Sequence, residues 1–237
     1  MATWYGWWSA VVRWLHWAPD VICMSRGEHS ATHTTGDDLR SAQAIMATMD
    51  SCTQCDFSYD TLGVEEAPAA LRFLGSAYRT RLAPGLQNVE HERVLRRRPE
   101  PQVWSALEYA CHFRDVVLAQ RERLYLALVE DTPRLASIYR DQRVIFACYS
   151  DDRIEDVARE VDMATGLLAR AFARLDGGQW QRQCIYGYPA PMQRSIAWLA
   201  RHTVHEGRHH LQDIDTGISA ARSALSSGAA TWPHQPR

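Results

Sequence analysis

Lysine is missing from this 237-residue chain, and all 26 strongly basic residues are arginine. Together with abundant alanine, this bias reflects a GC-rich genome more than a mechanism. The formal net charge is -2, and the one basic run, Arg96-Arg97-Arg98, is expected to be a solvated loop. Because nucleic-acid binding requires a clustered basic surface, the sequence argues against a nucleic-acid partner.

Long hydrophobic runs are also missing. No apolar stretch reaches the roughly 18 residues that a membrane span requires, which argues against a membrane partner. The six cysteines are scattered, apart from Cys52 and Cys55, unlike the framework of a secreted disulfide protein. We therefore expect reduced thiols and a cytoplasmic location. The length allows one domain with appendages, or at most two small domains.

Alternating apolar and polar residues, the mark of a half-buried strand, do not form any long run. Apolar residues instead recur at helical spacing in four stretches, at about 68–82, 102–130, 152–175 and 189–214. Four long helices with modest connections predict an all-α four-helix bundle.

The chain divides into four segments by composition. The tryptophan-rich and then polar N-terminus is interpreted as a disordered or poorly packed extension, as a mis-started upstream stretch, or as an interfacial amphipathic helix. The predicted boundaries are 1–48 for this extension, 49–66 for a leading segment with a CxxC pair, 67–218 for the bundle and 219–237 for a disordered tail.

Histidines on the last predicted helix indicate a metal site. His205 and His209 are four residues apart, so their rings lie on one helical face, one turn apart. His202 and Asp213 extend that face. If His112 from the second helix joined the pair, three imidazoles would leave an open coordination position, which is typical of a catalytic metal.

Neighbouring acidic residues have possible supporting roles. Asp115, which shares a face with Glu108 and His112, and Asp213 are candidates for orienting imidazole N–H groups. The alternative for both aspartates is a solvated helix face. The alternative for His112 is a hydrogen-bonded core histidine.

Two further motifs leave alternatives open. His205-Glu206-Gly-Arg-His209 matches HExxH, in which Glu206 would activate water for hydrolysis, although no glutamate follows to serve as a downstream ligand. Cys52-x2-Cys55 can supply two zinc thiolates or a redox pair. It can equally be two free thiols, since structural zinc requires four ligands and no second CxxC exists.

Taken together, these motifs resemble the DinB-like superfamily of metal-binding four-helix bundles, in its actinobacterial, mycothiol-associated branch. The resemblance covers about residues 50–216 and is carried by Trp104-Ser-Ala-Leu-Glu-Tyr-Ala-Cys-His112-Phe-Arg-Asp115, by His202-Thr-Val-His205-Glu-Gly-Arg-His209-His210-Leu-Gln-Asp213, and by Cys52-x2-Cys55-Asp-Phe-Ser-Tyr-Asp60. It implies that His112, His205 and His209 bind a divalent metal, with zinc or nickel favoured.

The resemblance also implies an activity. Relatives include transferases and isomerases that use a thiol such as mycothiol, so we expect a metal- and thiol-dependent S-transferase acting on small electrophiles in detoxification. A homodimer is implied by the resemblance alone. The alternatives are a non-enzymatic, stress-associated metal-binding bundle and a metal-dependent hydrolase that uses His205 and Glu206.

Overall fold

A computed structural model describes residues 51–83, 89–188 and 190–227. The predicted extension at 1–48 lies outside the described residues. The elements follow the order β1 (Ser51–Cys52), β2 (Phe57–Ser58), α1 (Ala67–Leu82), α2 (Val89–Arg96), α3 (Ala106–Val129), α4 (Arg140–Phe146), α5 (Ile154–Phe172), α6 (Gly177–Trp180), β3 (Gln183–Tyr186), β4 (Met192–Ser195) and α7 (Ile196–Ser226). Single 3-10 turns occur at Tyr59–Thr61 and Tyr149–Asp151.

Four long helices, α1, α3, α5 and α7, form the predicted four-helix bundle, which is confirmed. Helix α1 packs against α5 and α7, and α3 packs against the same two helices. Successive bundle helices α1 and α3 therefore lie diagonally opposite each other, as do α5 and α7. This arrangement makes α3 and α7 direct neighbours.

Helix α5 shows how the apolar pattern builds the core. Ile154, Val157, Val161 and Leu168 recur at three-, four- and seven-residue spacing, and all are almost completely buried. Burying an aliphatic side chain of this size contributes roughly 1.5–3 kcal/mol relative to leaving it exposed. Within the described residues, none of the helices combines the length and apolarity of a membrane-crossing segment.

The arginine run forms the predicted loop only at Arg97 and Arg98, which are partly exposed. Arg96 ends α2, which packs on α3 and α7 because Val94 and Leu95 are buried. Arg98 then donates to both carboxylate oxygens of Glu108, at 2.5 and 2.8 Å. The buried Glu108 carboxylate also accepts from the backbone N–H of Ser105, at 2.8 Å, and so completes the N-terminal cap of α3.

The last helix begins and ends later than predicted. Residues Met192–Ser195 pair with β3 as the antiparallel strand β4, so α7 starts only at Ile196, where the Ser195 hydroxyl accepts from the N–H of Trp198. At the other end, residues 219–226 of the predicted tail belong to α7. Ala221 packs into the core there, and alanine favours helix.

Gly207, in the middle of α7, marks a close approach of three bundle helices. A Cβ atom at this position would lie 2.6 Å from Leu74 on α1 and 2.6 Å from Phe113 on α3. The Tyr78 hydroxyl donates to the Gly207 carbonyl at 3.0 Å. The missing side chain therefore determines how deeply α7 sits between α1 and α3.

We expect Gly207→Ala to lower the free energy of unfolding by about 1–3 kcal/mol, because overpacking outweighs the helical preference of alanine. Gly166→Ala on α5 is the matched control. Its Cβ would meet only the end of Arg170, at 3.6 Å, so it should gain up to about 1 kcal/mol. Denaturant unfolding followed by circular dichroism measures both, and an unchanged stability in Gly207→Ala would contradict the close approach.

Candidate metal centres

Helix α7 carries two ligand pairs with the same four-residue spacing. One pair is His205 and His209, and the other is Glu206 and His210. At 3.6 residues per turn, an offset of one residue rotates the second pair by about 100° around the helix. The two pairs therefore face different neighbours.

The first ligand group joins α7 to α3. His112, Glu206 and His210 each offer one ligand atom, and these atoms lie within 4.8 Å of one another. The ring centroids of His112 and His210 are 5.0 Å apart. His112 is only 2% exposed and His210 is 8% exposed, so this group lies inside the bundle.

Burial keeps His112 neutral. Desolvation, followed by the nearby His210, lowers the pKa of His112 to about 4. Its Nδ1 atom is buried and has no hydrogen-bond partner among the described residues. A buried imidazole nitrogen without a partner costs free energy, and coordination of a metal ion would satisfy it.

The other two members form a charged pair. Burial lowers the pKa of His210, but hydrogen bonds with Asp213 and Glu206 outweigh it and raise the pKa to about 9. Burial raises the pKa of Glu206, yet His210 and the other imidazoles hold it well below its usual range. A carboxylate and two imidazoles are a donor set that suits a divalent transition metal.

Asp213 is placed to orient this group. Its Oδ2 lies 2.9 Å from Nδ1 of His210, while Nε2 of His210 lies 3.5 Å from Glu206. A carboxylate that accepts from one ring nitrogen directs the lone pair of the other toward a metal. This is the contact that the orienting role predicted for Asp213 requires.

The predicted triad of His112, His205 and His209 is divided between two groups. In the described part of the chain, His205 and His209 share a ligand group with Cys52 and Cys55, whereas His112 does not. The reason is the rotation of α7, which turns His205 and His209 toward the N-terminal hairpin. The sequence signal for the group that does contain His112 was the Glu206-x3-His210 pair, which lies one position after the His205-x3-His209 pair.

Asp115 does not orient an imidazole, contrary to the prediction. One carboxylate oxygen accepts from Arg114 at 2.9 Å, and the other accepts from Arg143 at 3.1 Å and from the Tyr149 hydroxyl at 2.6 Å. These contacts tie α4 and the 3-10 turn at Tyr149 to α3. Although Asp115 shares a helical face with His112, its carboxylate is engaged by these three groups and not by an imidazole.

His202, predicted to extend the ligand face, could share a ligand group with His205 and Glu206, but both of its ring nitrogens already have hydrogen-bond partners. Its Nδ1 lies 2.7 Å from the Tyr59 hydroxyl and its Nε2 lies 3.1 Å from the Tyr186 hydroxyl. Its Nε2 is also 3.9 Å from Glu206. With both ring nitrogens bonded, His202 acts as a hydrogen-bonded core residue beside the first ligand group.

A cavity of about 310 Å³ opens beside His112 and Glu206. The segment 135–142 forms much of its wall, together with Arg123 and Tyr186. The strand pair β3 and β4 brings Tyr186 to this place. The cavity therefore joins the first ligand group to a space large enough for a small molecule.

Comparison with known proteins agrees with this architecture. The sequence profile of a family described as the DinB superfamily matches residues 77–214. Among solved structures, YfiT from Bacillus subtilis, described as a probable metal-dependent hydrolase with an unusual four-helix bundle topology, matches with a TM-score of 0.58 at 12% identity. The match covers 70% of this chain and 89% of YfiT. No curated protein matches the sequence significantly.

The contrast between the two aspartates can be measured. We expect Asp115→Asn to lower the free energy of unfolding by about 1–3 kcal/mol at pH 7, because a buried network loses its charged acceptor, and to leave metal affinity unchanged. Asp213→Asn, its control, should reduce metal affinity roughly 10–100-fold.

The effect of Asp115→Asn should also depend on pH. Burial raises the pKa of Asp115, but hydrogen bonds from Tyr149 and Arg114 outweigh it and leave the pKa lowered. The charge therefore stabilises the fold fully above the pKa of an unfolded aspartate, about 3.9, and loses this effect as pH falls toward the folded pKa. Denaturant unfolding should show that the difference in free energy of unfolding between Asp115→Asn and wild type becomes smaller below about pH 4. A difference that stays constant with pH would contradict the proposed hydrogen bonds to a charged Asp115.

Proposed function

The chain belongs to the DinB superfamily, and we propose that it is a divalent-metal-dependent enzyme that transfers a low-molecular-weight thiol to small electrophiles. The observation that carries this proposal is the group of His112, Glu206 and His210 beside a cavity. Three protein ligands leave an open coordination position, as in catalytic rather than structural sites. Zinc and nickel both suit two imidazoles and a carboxylate.

A divalent ion held there would lower the pKa of a bound thiol and so supply a thiolate at neutral pH. Residues around the ligand group set the protonation and orientation of the side chains that would bind this ion. Burial keeps His112 neutral, and Asp213 accepts from Nδ1 of His210, so that Nε2 of His210 would bind the ion in place of its proton. Burial of the ligands also excludes bulk water from one side of the site.

The cavity has a mixed wall that suits a small substrate with a negative charge. Val116 and Leu135 are buried apolar residues on its wall. Arg140 also lines it; its guanidinium lies over the Tyr188 ring and makes a loose ion pair, 3.7 Å, with Asp141. We assign Arg140 to attracting a carboxylate on the thiol or on the electrophile.

The proposal of a thiol as the attacking group is supported by the position of Glu206. The HExxH interpretation needs Glu206 as a free base, but Glu206 belongs to the ligand group. A metal ion would lower the pKa of water as well as that of a thiol, so the preference for a thiol rests on Glu206 being engaged as a ligand. In the transfer, a sulfur–carbon bond forms, the thiol proton passes to solvent, and the leaving group departs with its bonding electrons.

The activity test uses the purified full chain with zinc or nickel restored, mycothiol and a chlorodinitrobenzene. We expect metal-dependent formation of the thioether. His112→Ala should lose more than the roughly 10–100-fold that an outer partner of a ligand is worth. His91→Ala, a buried histidine outside the ligand groups, is the matched control. Equal rates in wild type and His112→Ala would reject the proposal.

Hydrolysis is the second candidate function, and the description of YfiT, which shares the fold, favours it. Ester and amide substrates tested without any thiol distinguish the two reactions. Metal-dependent turnover that is independent of thiol would replace S-transfer by hydrolysis. Absence of both activities, together with a melting temperature that falls strongly on chelation, would support the non-enzymatic bundle.

A further inference from the structure

The N-terminal hairpin places two thiols opposite the second face of α7. Cys52 lies in β1, and Cys55 lies in the turn that leads to β2. Both are half-buried and neither is in a disulfide. Ligand atoms of Cys52, Cys55, His205 and His209 all lie within 4.8 Å of one another.

We infer that Cys52, Cys55, His205 and His209 form a second, structural zinc site that fastens the N-terminal hairpin to α7. Two thiolates and two imidazoles are a standard tetrahedral zinc set. Because all four positions are filled by protein, this site is closed, unlike the group that contains His112. Its role is therefore to hold structure and not to bind substrate.

The separation of the donors agrees with this assignment. Sγ of Cys52 lies 3.6 Å from Nδ1 of His209. Zinc bonds of about 2.3 Å to sulfur and about 2.0–2.1 Å to nitrogen, at a tetrahedral angle, put these atoms roughly 3.6 Å apart. The ring centroids of His205 and His209 are 5.6 Å apart on successive turns, so both rings reach the same point.

Tyr59 prepares His205 as a ligand. The Tyr59 hydroxyl lies 2.7 Å from Nδ1 of His202 and 3.1 Å from Nδ1 of His205. If it donates its one proton at the shorter contact, it accepts the N–H of His205 at the longer one. Nε2 of His205 then carries the free lone pair, and this atom is buried with no partner among the described residues.

Asp213 lies near His209 without a hydrogen bond to it. When Nδ1 of His209 faces Cys52, Nε2 is directed toward Asp213, at 3.7 Å. The same carboxylate oxygen bonds His210 of the first group. Asp213 therefore lies next to an imidazole of each ligand group, His209 in one and His210 in the other, and so lies between the two centres on α7.

The hairpin needs such an anchor. Its strands are only two residues long, and an isolated two-stranded hairpin is at best marginally stable. Zinc would fix the segment that ends in Tyr59, and Tyr59 bonds His202, which lines the cavity. The proposed zinc site thus holds one wall of the neighbouring cavity in place.

The test measures zinc in the full chain, purified without chelator, by mass spectrometry. We expect Cys52→Ser/Cys55→Ser to lose one zinc per chain relative to wild type. Cys148→Ser, a change at an exposed cysteine, should lose none. Zinc contents that are equal in the double variant and in wild type would overturn the site, as would a Cys52–Cys55 disulfide in zinc-free wild type.

Cobalt substitution separates this site from the one proposed for catalysis, and it works on wild type even if a variant fails to fold. Wild type and His112→Ala should both show the near-ultraviolet sulfur-to-cobalt charge-transfer band. The band should be absent from Cys52→Ser/Cys55→Ser. If wild type takes up cobalt without this band, the cysteines are not ligands and the inference is wrong, whatever the outcome of the activity assay.

Discussion

Successive residues on a helix point about 100° apart, and on α7 this rotation decides which side chains can meet. Gly207 lets the helix lie against Leu74 and Phe113, and this contact sets its rotation in the bundle. Glu206 and His210 then face α3, while His205 and His209 face the N-terminal hairpin. This helix contributes to all four candidate ligand groups of the described residues, and the two groups that include residues from another element differ in chemistry.

The interior of the bundle is unusually polar along this line. His112, His202, Glu206, His210 and Tyr59 lie in one connected set of rings and hydrogen bonds. Buried polar groups are normally satisfied, and most atoms here have partners. Nδ1 of His112 and Nε2 of His205 have no partners among the described residues, and both histidines belong to candidate ligand groups. Metal coordination at these two places would satisfy both nitrogens.

The fold was predictable because helical periodicity is local. The apolar spacing on α5 and the prolines and glycines between stretches predict four helices without knowledge of their packing. The errors fall where distant residues intervene. Arg98 pairs with Glu108, so its guanidinium is not simply solvated, and β4 pairs with β3, so α7 begins at Ile196 and not near residue 189.

The aspartates illustrate the same limit within the site. Asp213 and Asp115 both lie three residues beyond a histidine, His210 or His112, and spacing alone treats them alike. Asp213 bonds the imidazole of His210, whereas Asp115 is taken by Arg143 and Tyr149 from a later part of the chain. Their different surroundings depend on the connection between α3 and α5, which periodicity does not describe.

By itself, the sequence determined the helices, the four-residue spacing of the ligand pairs and the presence of two thiols ahead of the bundle, because these follow from short-range geometry. Only the tertiary structure decided that His112 meets Glu206 and His210, and that Cys52 and Cys55 meet His205 and His209. Those partnerships depend on the rotation of α7 about its own axis. That rotation is set by side-chain packing between helices that are far apart in the chain.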